Sequence, residues 1–231
     1  MTQLALPLRL ADHAVFASFY EGGNEALVAT LKAVADGTTE NHGCWLWGPP
    51  ATGKTHLLQA VCESAGDRSI YVPLAMLASA GPQILEGLER REQVCIDDIE
   101  RVAGDTDWEV ALFALCNQVF DAGSQLVVAS NSAPRECAIG LADLASRLSR
   151  LPVFRVHALD ESERAEALRL RARHRGLDLP EETANYLLKR SRRDMASLYE
   201  LLDKLDLEAL RAKRRLTIPF VRDVLAPNDA E

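Results

Sequence analysis

The chain has 231 residues, of which 48% are hydrophobic and 26% are charged, and its formal net charge at pH 7 is −8. This composition argues against a disordered chain or a membrane protein, and the acidic charge argues against unaided binding of nucleic acid. Because no apolar run reaches the roughly 18 residues of a spanning helix, and no signal-peptide pattern is present, we expect a cytoplasmic protein without a membrane partner.

The first apolar stretch, QLALPL at residues 3–8, has two interpretations. Leu4, Leu6 and Leu8 alternate as on one face of a strand, but Pro7 lacks an N–H group and is confined to strand edges or extended segments. The pattern alone leaves a packed edge strand and a free peptide equally open. The other apolar runs begin about 40 residues later, which favours a free terminal peptide over residues 1–12.

From Cys44 onward, short apolar runs alternate with amphipathic helical patterns. The apolar runs are CWLW, SIYVP, QVCIDDI, QLVVAS and PVFRVHAL, and the helical patterns are THLLQAVCES, DWEVALFALCNQVFDAG and LADLASRLSR. Such alternation predicts a parallel sheet that is wound by helices on both faces. We therefore expect an α/β domain over residues 13–157.

After Leu159 the pattern changes to helices alone, which predicts a small all-α domain over residues 158–231. The segment DESERAEALRLRARHRG starts with acids, ends with bases and stops at Gly176, as capped helices do. PEETANYLLKRS, DMASLYELLDKLDLEALRAKRR and IPFVRDVL follow it. Four arginines in the first helix are spaced by two, and we expect them to lie mostly on the solvated surface: Arg169, Arg171, Arg173 and Arg175.

The strongest chemical signal is GPPATGKT, which fits the phosphate-loop pattern G-x-x-x-x-G-K-T between an apolar strand and an amphipathic helix. Its residues are Gly48, Pro49, Pro50, Ala51, Thr52, Gly53, Lys54 and Thr55. The glycines let backbone N–H groups turn onto phosphate oxygens, Lys54 brings a positive charge, and the Thr55 hydroxyl can bind Mg²⁺. The sequence therefore predicts a nucleotide-binding site.

Two acids follow the apolar run Val94–Ile96. Because the carboxyl ends of parallel strands face the ligand crevice, Asp97 is expected to hold Mg²⁺, directly or through water. Asp98 is expected to orient an attacking water molecule. The alternative, a solvated strand end, loses weight because a phosphate loop precedes these residues by about 40 positions.

The phosphate loop, the strand ending in two aspartates, LVVASN and the helical C-terminal domain together resemble an AAA+ ATPase with a lid. The upstream FASFYEGGNEAL is similar to the F-x-x-F-x-x-G-x-N segment of the replication initiator DnaA, and the whole chain resembles the Hda family of DnaA inactivators. This resemblance implies ADP or ATP with Mg²⁺ as ligands, and it implies that Phe19, Asn24 and His56 lie beside the nucleotide.

The resemblance also assigns roles to three polar residues. Asn131 matches the first sensor of the γ-phosphate, although an asparagine in a turn before Pro134 remains an alternative. Arg147 matches the arginine finger that reaches a neighbouring subunit's nucleotide, whereas a helical pair with Asp143 is the alternative. Arg193 matches the second sensor in the lid, where a basic helix end would look the same.

The function that the resemblance implies is inactivation of DnaA. In this interpretation Arg147 completes the site of DnaA-bound ATP, and QLALPL binds the DNA polymerase sliding clamp, so that the chain meets DNA through the clamp. The clamp-binding residues would be Gln3, Leu4, Leu6, Pro7 and Leu8. The alternative is a self-sufficient AAA+ ATPase, similar to helicase loaders, that assembles into a homo-oligomer and remodels a partner. Lys54, Asp97 and Asp98 permit it.

Overall fold

The computed structural model describes residues 14–190, 195–212 and 214–225. Its centre is a five-stranded parallel sheet with the order β2-β3-β4-β1-β5. The strands are β1 (Gly43–Trp47), β2 (Ser69–Pro73), β3 (Gln93–Asp97), β4 (Gln125–Ser130) and β5 (Val153–Arg155). All five lie in the predicted apolar runs, which confirms the expected parallel α/β fold.

Helices cover both faces of the sheet and form the C-terminal part of the chain. They are α1 (Glu25–Ala35), α2 (Lys54–Ala65), α3 (Leu74–Leu77), α4 (Thr106–Asp121), α5 (Ala142–Leu148), α6 (Glu161–His174), α7 (Glu181–Arg190), α8 (Met195–Ala212) and α9 (Ile218–Leu225). The helix α1 lies before Cys44, where we predicted no helix, although Leu27 and Leu31 follow helical spacing and are buried.

Side chains alternate between two apolar cores, one on each face of the sheet. In β1, Trp45 belongs to one core, while Cys44 and Leu46 belong to the other. Helices α4 and α5 contribute to the core of Trp45, and α1 and α2 contribute to the opposite core. Burial on both faces explains why the strands are continuous apolar runs without polar alternation.

The helices α6 to α9, which we call the lid, share a third apolar core. Its buried members include Leu168, Leu187, Leu202 and Phe220. Helix α6 begins with a capping box, in which the Asp160 side chain accepts from the Glu163 N–H and the Glu163 carboxylate accepts from the Asp160 N–H. Reciprocal bonds of this kind satisfy N–H groups that the first helical turn leaves unpaired.

A buried carboxylate fixes the loop that leads into α5. The Glu109 side chain is 3% exposed and accepts hydrogen bonds from the N–H groups of Gly104 at 2.7 Å, Gly140 at 2.9 Å and Leu141 at 2.6 Å. Burial raises the pKa of Glu109, but the backbone donors outweigh it, and the pKa lies below its usual value. Glu109 thus ties α4 to the start of α5 through a charged group.

The structure does not test three of our predictions. Residues 3–8 and Arg193 lie outside the described residues. The division of the chain near residue 157 stays a prediction. Within the described ranges, no helix combines the length and apolar content that a bilayer span requires.

Candidate functional site

A cavity of about 940 Å³ opens where the carboxyl ends of the strands meet the lid. The phosphate loop after β1, the residues after β3 and β4, the segment before α1, and helices α6 and α8 all contribute to its wall. Representative lining residues are Phe19, Lys54, Asp98, Asn131, Arg171 and Tyr199. Ligands of doubly wound parallel sheets bind at this edge, so the predicted site and the cavity coincide.

The phosphate loop turns sharply before α2 because two of its residues adopt left-handed backbone angles. Ala51 has a φ of 62° and Gly53 a φ of 94°. A Cβ atom at Gly53 would lie 2.7 Å from Cε2 of Phe19, so only glycine fits between the loop and that ring. Helix α2 begins at Lys54, and its first N–H groups carry the positive end of the helix dipole.

Lys54 is 6% exposed, and its ammonium group lies inside the loop. It donates to the carbonyl oxygens of Gly48 at 2.7 Å and Pro49 at 2.9 Å, and to Oδ1 of Asn131 at 3.1 Å. Burial lowers the pKa of Lys54, and the carboxylates of Glu100, Asp97 and Asp98 oppose that shift. The cation is therefore held among carbonyl dipoles and acids at the place where the loop would receive phosphate.

Asp97 collects hydrogen bonds from three elements. Its Oδ2 accepts from the Thr55 hydroxyl at 2.7 Å and from the Tyr71 hydroxyl at 2.8 Å, and its Oδ1 accepts from the Asp98 N–H at 3.1 Å. Burial raises the pKa of the Asp97 carboxyl, while the Thr55 hydroxyl lowers it. Tyr71, at the edge strand β2, was not predicted because nothing in SIYVP distinguishes its hydroxyl from an ordinary strand tyrosine.

The donor set of Thr55 and Asp97 fits Mg²⁺. This cation is bound in nucleotide sites by one or two protein oxygens together with water and phosphates, not by a dedicated protein cage. In line with that, no group of three or more His, Cys, Asp or Glu side chains suited to a metal occurs within residues 14–190, 195–212 and 214–225. A metal at this site would depend on the nucleotide for most of its ligands.

Asn131 connects Lys54 to a carboxylate that the sequence did not indicate. Its Nδ2 donates to Oε1 of Glu100, while its Oδ1 accepts from Lys54. Burial raises the pKa of Glu100. Glu100 lies on a short helical turn, Ile99–Arg101, that follows Asp98. Because Asp98 has a left-handed φ of 57°, the chain bends there and directs the turn toward β4.

Phe19, Asn24 and His56, which the resemblance places beside a nucleotide, all line the cavity. Their contact with a nucleotide stays a prediction. The His56 ring nitrogen Nε2 lies 2.9 Å from the carbonyl oxygen of Val15, and its ring centroid is 5.5 Å from that of Phe19. Asn24 is 3% exposed, and both ends of its amide bind the backbone of His157. Asn24 therefore holds the segment before α1 against the residues that follow β5.

Arg147 lies in the last turn of α5 and does not line the cavity of its own chain. Leu144 and Leu148 are buried on the core side of the helix, whereas Arg147 is half-buried and Asp143 is exposed. Within the described residues, Asp143 and Arg147 do not form a salt bridge of 4.0 Å or less. The helical pair that we considered as an alternative is thus absent from this conformation.

The expectation that the α6 arginines lie mostly on the solvated surface was wrong for two of them. Arg171 is 7% exposed and faces the cavity, and the Arg175 side chain is 7% exposed and pairs with Asp203. Arg173 is exposed, and Arg169 pairs with Glu166 at 2.7 Å. The error has a physical cause: α6 packs against α7, α8 and the segment before α1, so most of its circumference is covered.

Comparison with known families agrees with this geometry. Residues 10–151 match the family model of the bacterial DnaA ATPase domain, and residues 160–225 match that of the Hda lid domain. The chain belongs to the Hda/DnaA-like AAA+ family. The family match confirms the resemblance and the fold class that we inferred from the motifs.

Solved structures with the same fold include replication initiators and a branch migration motor. Domain III of the Thermotoga maritima initiator DnaA is 22% identical, with a TM-score of 0.76 over 93% of this chain and 96% of that chain. AMPPCP-bound DnaA from Aquifex aeolicus is 19% identical, with a TM-score of 0.67 over 88% and 68%. The Thermotoga maritima RuvB branch migration motor is 20% identical, with a TM-score of 0.62 over 89% and 68%. These likenesses show the DnaA-like AAA+ fold.

The buried imidazole of His56 predicts a pH dependence of stability in this DnaA-like protein. Burial lowers the pKa of His56 from 6.5 to about 4. Between these pH values the unfolded chain binds a proton that the folded chain does not, so stability falls as the pH falls, by up to about 1.4 kcal/mol per pH unit. We expect His56→Gln to have a shallower slope in urea unfolding experiments between pH 6.5 and pH 4.

The matched control is His42→Gln, which changes an exposed histidine and should keep the slope of the parent protein. Equal slopes for the parent protein and His56→Gln would contradict the prediction.

Proposed function

We propose that this chain is a nucleotide-bound negative regulator of replication initiation. It binds ADP or ATP with Mg²⁺, and it stimulates hydrolysis of DnaA-bound ATP by supplying Arg147 in trans. The N-terminal peptide 1–12 engages the sliding clamp, the body 13–157 holds the nucleotide, and residues 158–231 form the lid. The observation that carries the proposal is the Lys54 ammonium, buried in a complete phosphate loop beneath a cavity that is closed on one side by a Hda-type lid.

Nucleotide binding is supported by the positions of the positively charged groups and the oxygen ligands in the cavity. Lys54 and the first N–H groups of α2 offer positive charge to phosphate oxygens, while Thr55 and Asp97 offer oxygen ligands to a cation. A related DnaA carries AMPPCP in its solved structure. Mg²⁺, when bound, neutralises charge on the phosphate oxygens. We infer that ADP is the ligand retained, and that it fixes the angle between body and lid.

The role in trans is supported by the position of Arg147. It lies at the end of a helix whose start is anchored by Glu109, and it is outside the cavity of its own chain. An arginine that approaches a transferring phosphoryl group stabilises the charge that spreads over its oxygens, and such residues accelerate hydrolysis by roughly 10³- to 10⁵-fold. At an interface with DnaA, Arg147 would complete the ATP site of DnaA and raise the rate of hydrolysis there.

The sliding clamp is proposed as the second partner on the strength of QLALPL. In this proposal Gln3 and Leu4 make the first contacts, Leu6 and Leu8 fill an apolar cleft, and Pro7 limits the entropy lost on ordering the peptide. Clamp binding would bring the chain to DNA even though its net charge of −8 does not favour direct binding to DNA.

A second candidate function is a self-sufficient ATPase that assembles with copies of itself and remodels a replication partner. It is favoured by the assembled set of Lys54, Asp97, Asp98 and Asn131, which contains the groups that ATP hydrolysis needs. The same fold occurs in the RuvB motor. The two candidates differ in whether ATP is turned over without DnaA.

Replacement of Arg147 tests the role in trans. With ATP-loaded DnaA and clamp on DNA, we expect Arg147→Ala to stimulate phosphate release about 10³-fold less than the parent protein, because the transition-state charge loses its cation. Arg150→Ala, which removes an exposed arginine just beyond the same helix, serves as the control and should stimulate normally. Undiminished stimulation by Arg147→Ala would refute the proposal.

The clamp-binding role is tested with the double variant Gln3→Ala, Leu4→Ala. We expect its affinity for the purified clamp to fall at least about tenfold, because both anchors of the peptide are removed. Thr2→Ala lies next to the motif and should bind like the parent protein. If the double variant keeps full affinity, QLALPL is not the clamp-binding peptide.

ATP turnover without DnaA distinguishes the two candidate functions. We expect negligible phosphate release by the parent protein alone, together with retention of ADP during purification. Appreciable turnover that is lost in Lys54→Ala but kept in Lys32→Ala, which alters an exposed lysine paired with Glu21, would favour the self-sufficient ATPase.

A further inference from the structure

Arg171, in α6 of the lid, is a buried cation that faces the nucleotide cavity. Its side chain is 7% exposed, and its guanidinium carbon lies 4.2 Å from the centroid of the Tyr199 ring in α8. The Nε–H group is buried without a hydrogen-bond partner among the described residues. One face of the guanidinium is therefore covered by an aromatic ring, while its Nε–H group has no hydrogen-bond partner among the described residues.

Asp203, a carboxylate that raises the pKa of Arg171, is already engaged with another arginine. Asp203 forms an ion pair with Arg175, the residue that follows the end of α6, and Asp206 lies 3.8 Å from the same arginine. Burial lowers the pKa of Arg171, Tyr199 and Asp203 oppose that shift, and the charge of Arg175 adds to it. Within the described residues, Arg171 has no acidic group within 4.0 Å. A buried charge is expensive unless a partner neutralises it, and burial outweighs the groups that raise the pKa of Arg171.

The surroundings of Arg171 indicate what would neutralise it. The residue lines the same cavity as Lys54 and as His56, which lies in the first turn of α2. The charge of Arg171 adds to burial in lowering the pKa of that imidazole. Arg171 thus approaches the phosphate-loop helix from the lid side. An anion bound by the loop would have Lys54 on the side of the body and Arg171 on the side of the lid.

We propose that Arg171 binds the phosphate groups of the nucleotide and so joins the lid to the loop. The proposal rests on the proposed binding of ADP or ATP, and it adds a residue that is separate from Arg193, the lid arginine that the family resemblance indicates. A planar guanidinium stacked on Tyr199 is held in one orientation, so its N–H groups can form charge-assisted hydrogen bonds to phosphate oxygens with little loss of side-chain entropy. The occupied loop would then hold the lid in place through α6.

The test compares ADP and adenosine binding, by calorimetry in the presence of Mg²⁺, to the full-length parent protein and to Arg171→Met. Methionine keeps an apolar contact with Tyr199 but carries no charge. We expect affinity for ADP to fall at least about tenfold, which corresponds to the loss of one charge-assisted hydrogen bond, while affinity for adenosine, which has no phosphate, stays unchanged. Arg171→Lys should lie between the two proteins, because it keeps the charge and loses the planar fork.

Arg173→Met removes an exposed arginine from the same helix and should bind ADP like the parent protein. Thermal unfolding without added nucleotide separates binding from folding: Arg171→Met should unfold at the same or a higher temperature, because an unneutralised buried charge has been removed, and ADP should raise that temperature less than in the parent protein. Equal ADP affinity of Arg171→Met and the parent protein, or equal losses for ADP and adenosine, would overturn the assignment of Arg171. A parent protein that does not bind ADP or ATP would instead refute the proposed function itself.

Discussion

The buried ammonium group of Lys54 is the constraint around which the cavity is organised. A charge at that depth must be solvated by the protein, and the carbonyl groups of Gly48 and Pro49 and the amide oxygen of Asn131 do so. These bonds require the loop to curl around its own lysine and require β4 to end beside it. The acids at the end of β3 supply the compensating negative charge. The loop geometry and the electrostatics of the cavity are therefore linked through one cation.

The polar groups of the cavity are divided by sign between its walls. Carboxylates come from the edge of the sheet, where Asp97 and Asp98 end β3 and begin the next turn, and cations come from the loop and the lid. Negatively charged groups of a ligand would fit the cationic wall, and the proposed Mg²⁺ would fit the carboxylate wall. The low dielectric of a partly closed cavity strengthens each of these interactions relative to water. This division explains why the lid, whose core is apolar, has Arg164 and Arg171 on the side that lines the cavity.

The sequence predicted the fold well because the evidence for it is local. Strands β1 to β5 and the lid helices follow from runs and periodicities of a few residues, and the phosphate loop is a contiguous motif. Strand order and the contacts of Tyr71 and Glu100 depend on pairing between distant segments, which no local pattern encodes. The prediction that Arg171 is exposed was wrong, because residue spacing shows which face of a helix a side chain occupies, but not how many faces other elements cover. Asn24 was expected beside a nucleotide. Its amide binds the backbone of His157, 133 residues away in the sequence, and no local pattern predicts that contact.

That contact has a practical consequence for dissecting the protein. The Asn24 amide links the segment before α1 to His157, which lies between β5 and the lid helix α6. A fragment that stops at the end of β5 would lose the His157 N–H that donates to the Asn24 amide oxygen, and would leave that buried oxygen without a donor. Borders chosen for expression of the isolated nucleotide-binding body should therefore extend beyond His157, and linkers or tags should not interrupt this junction.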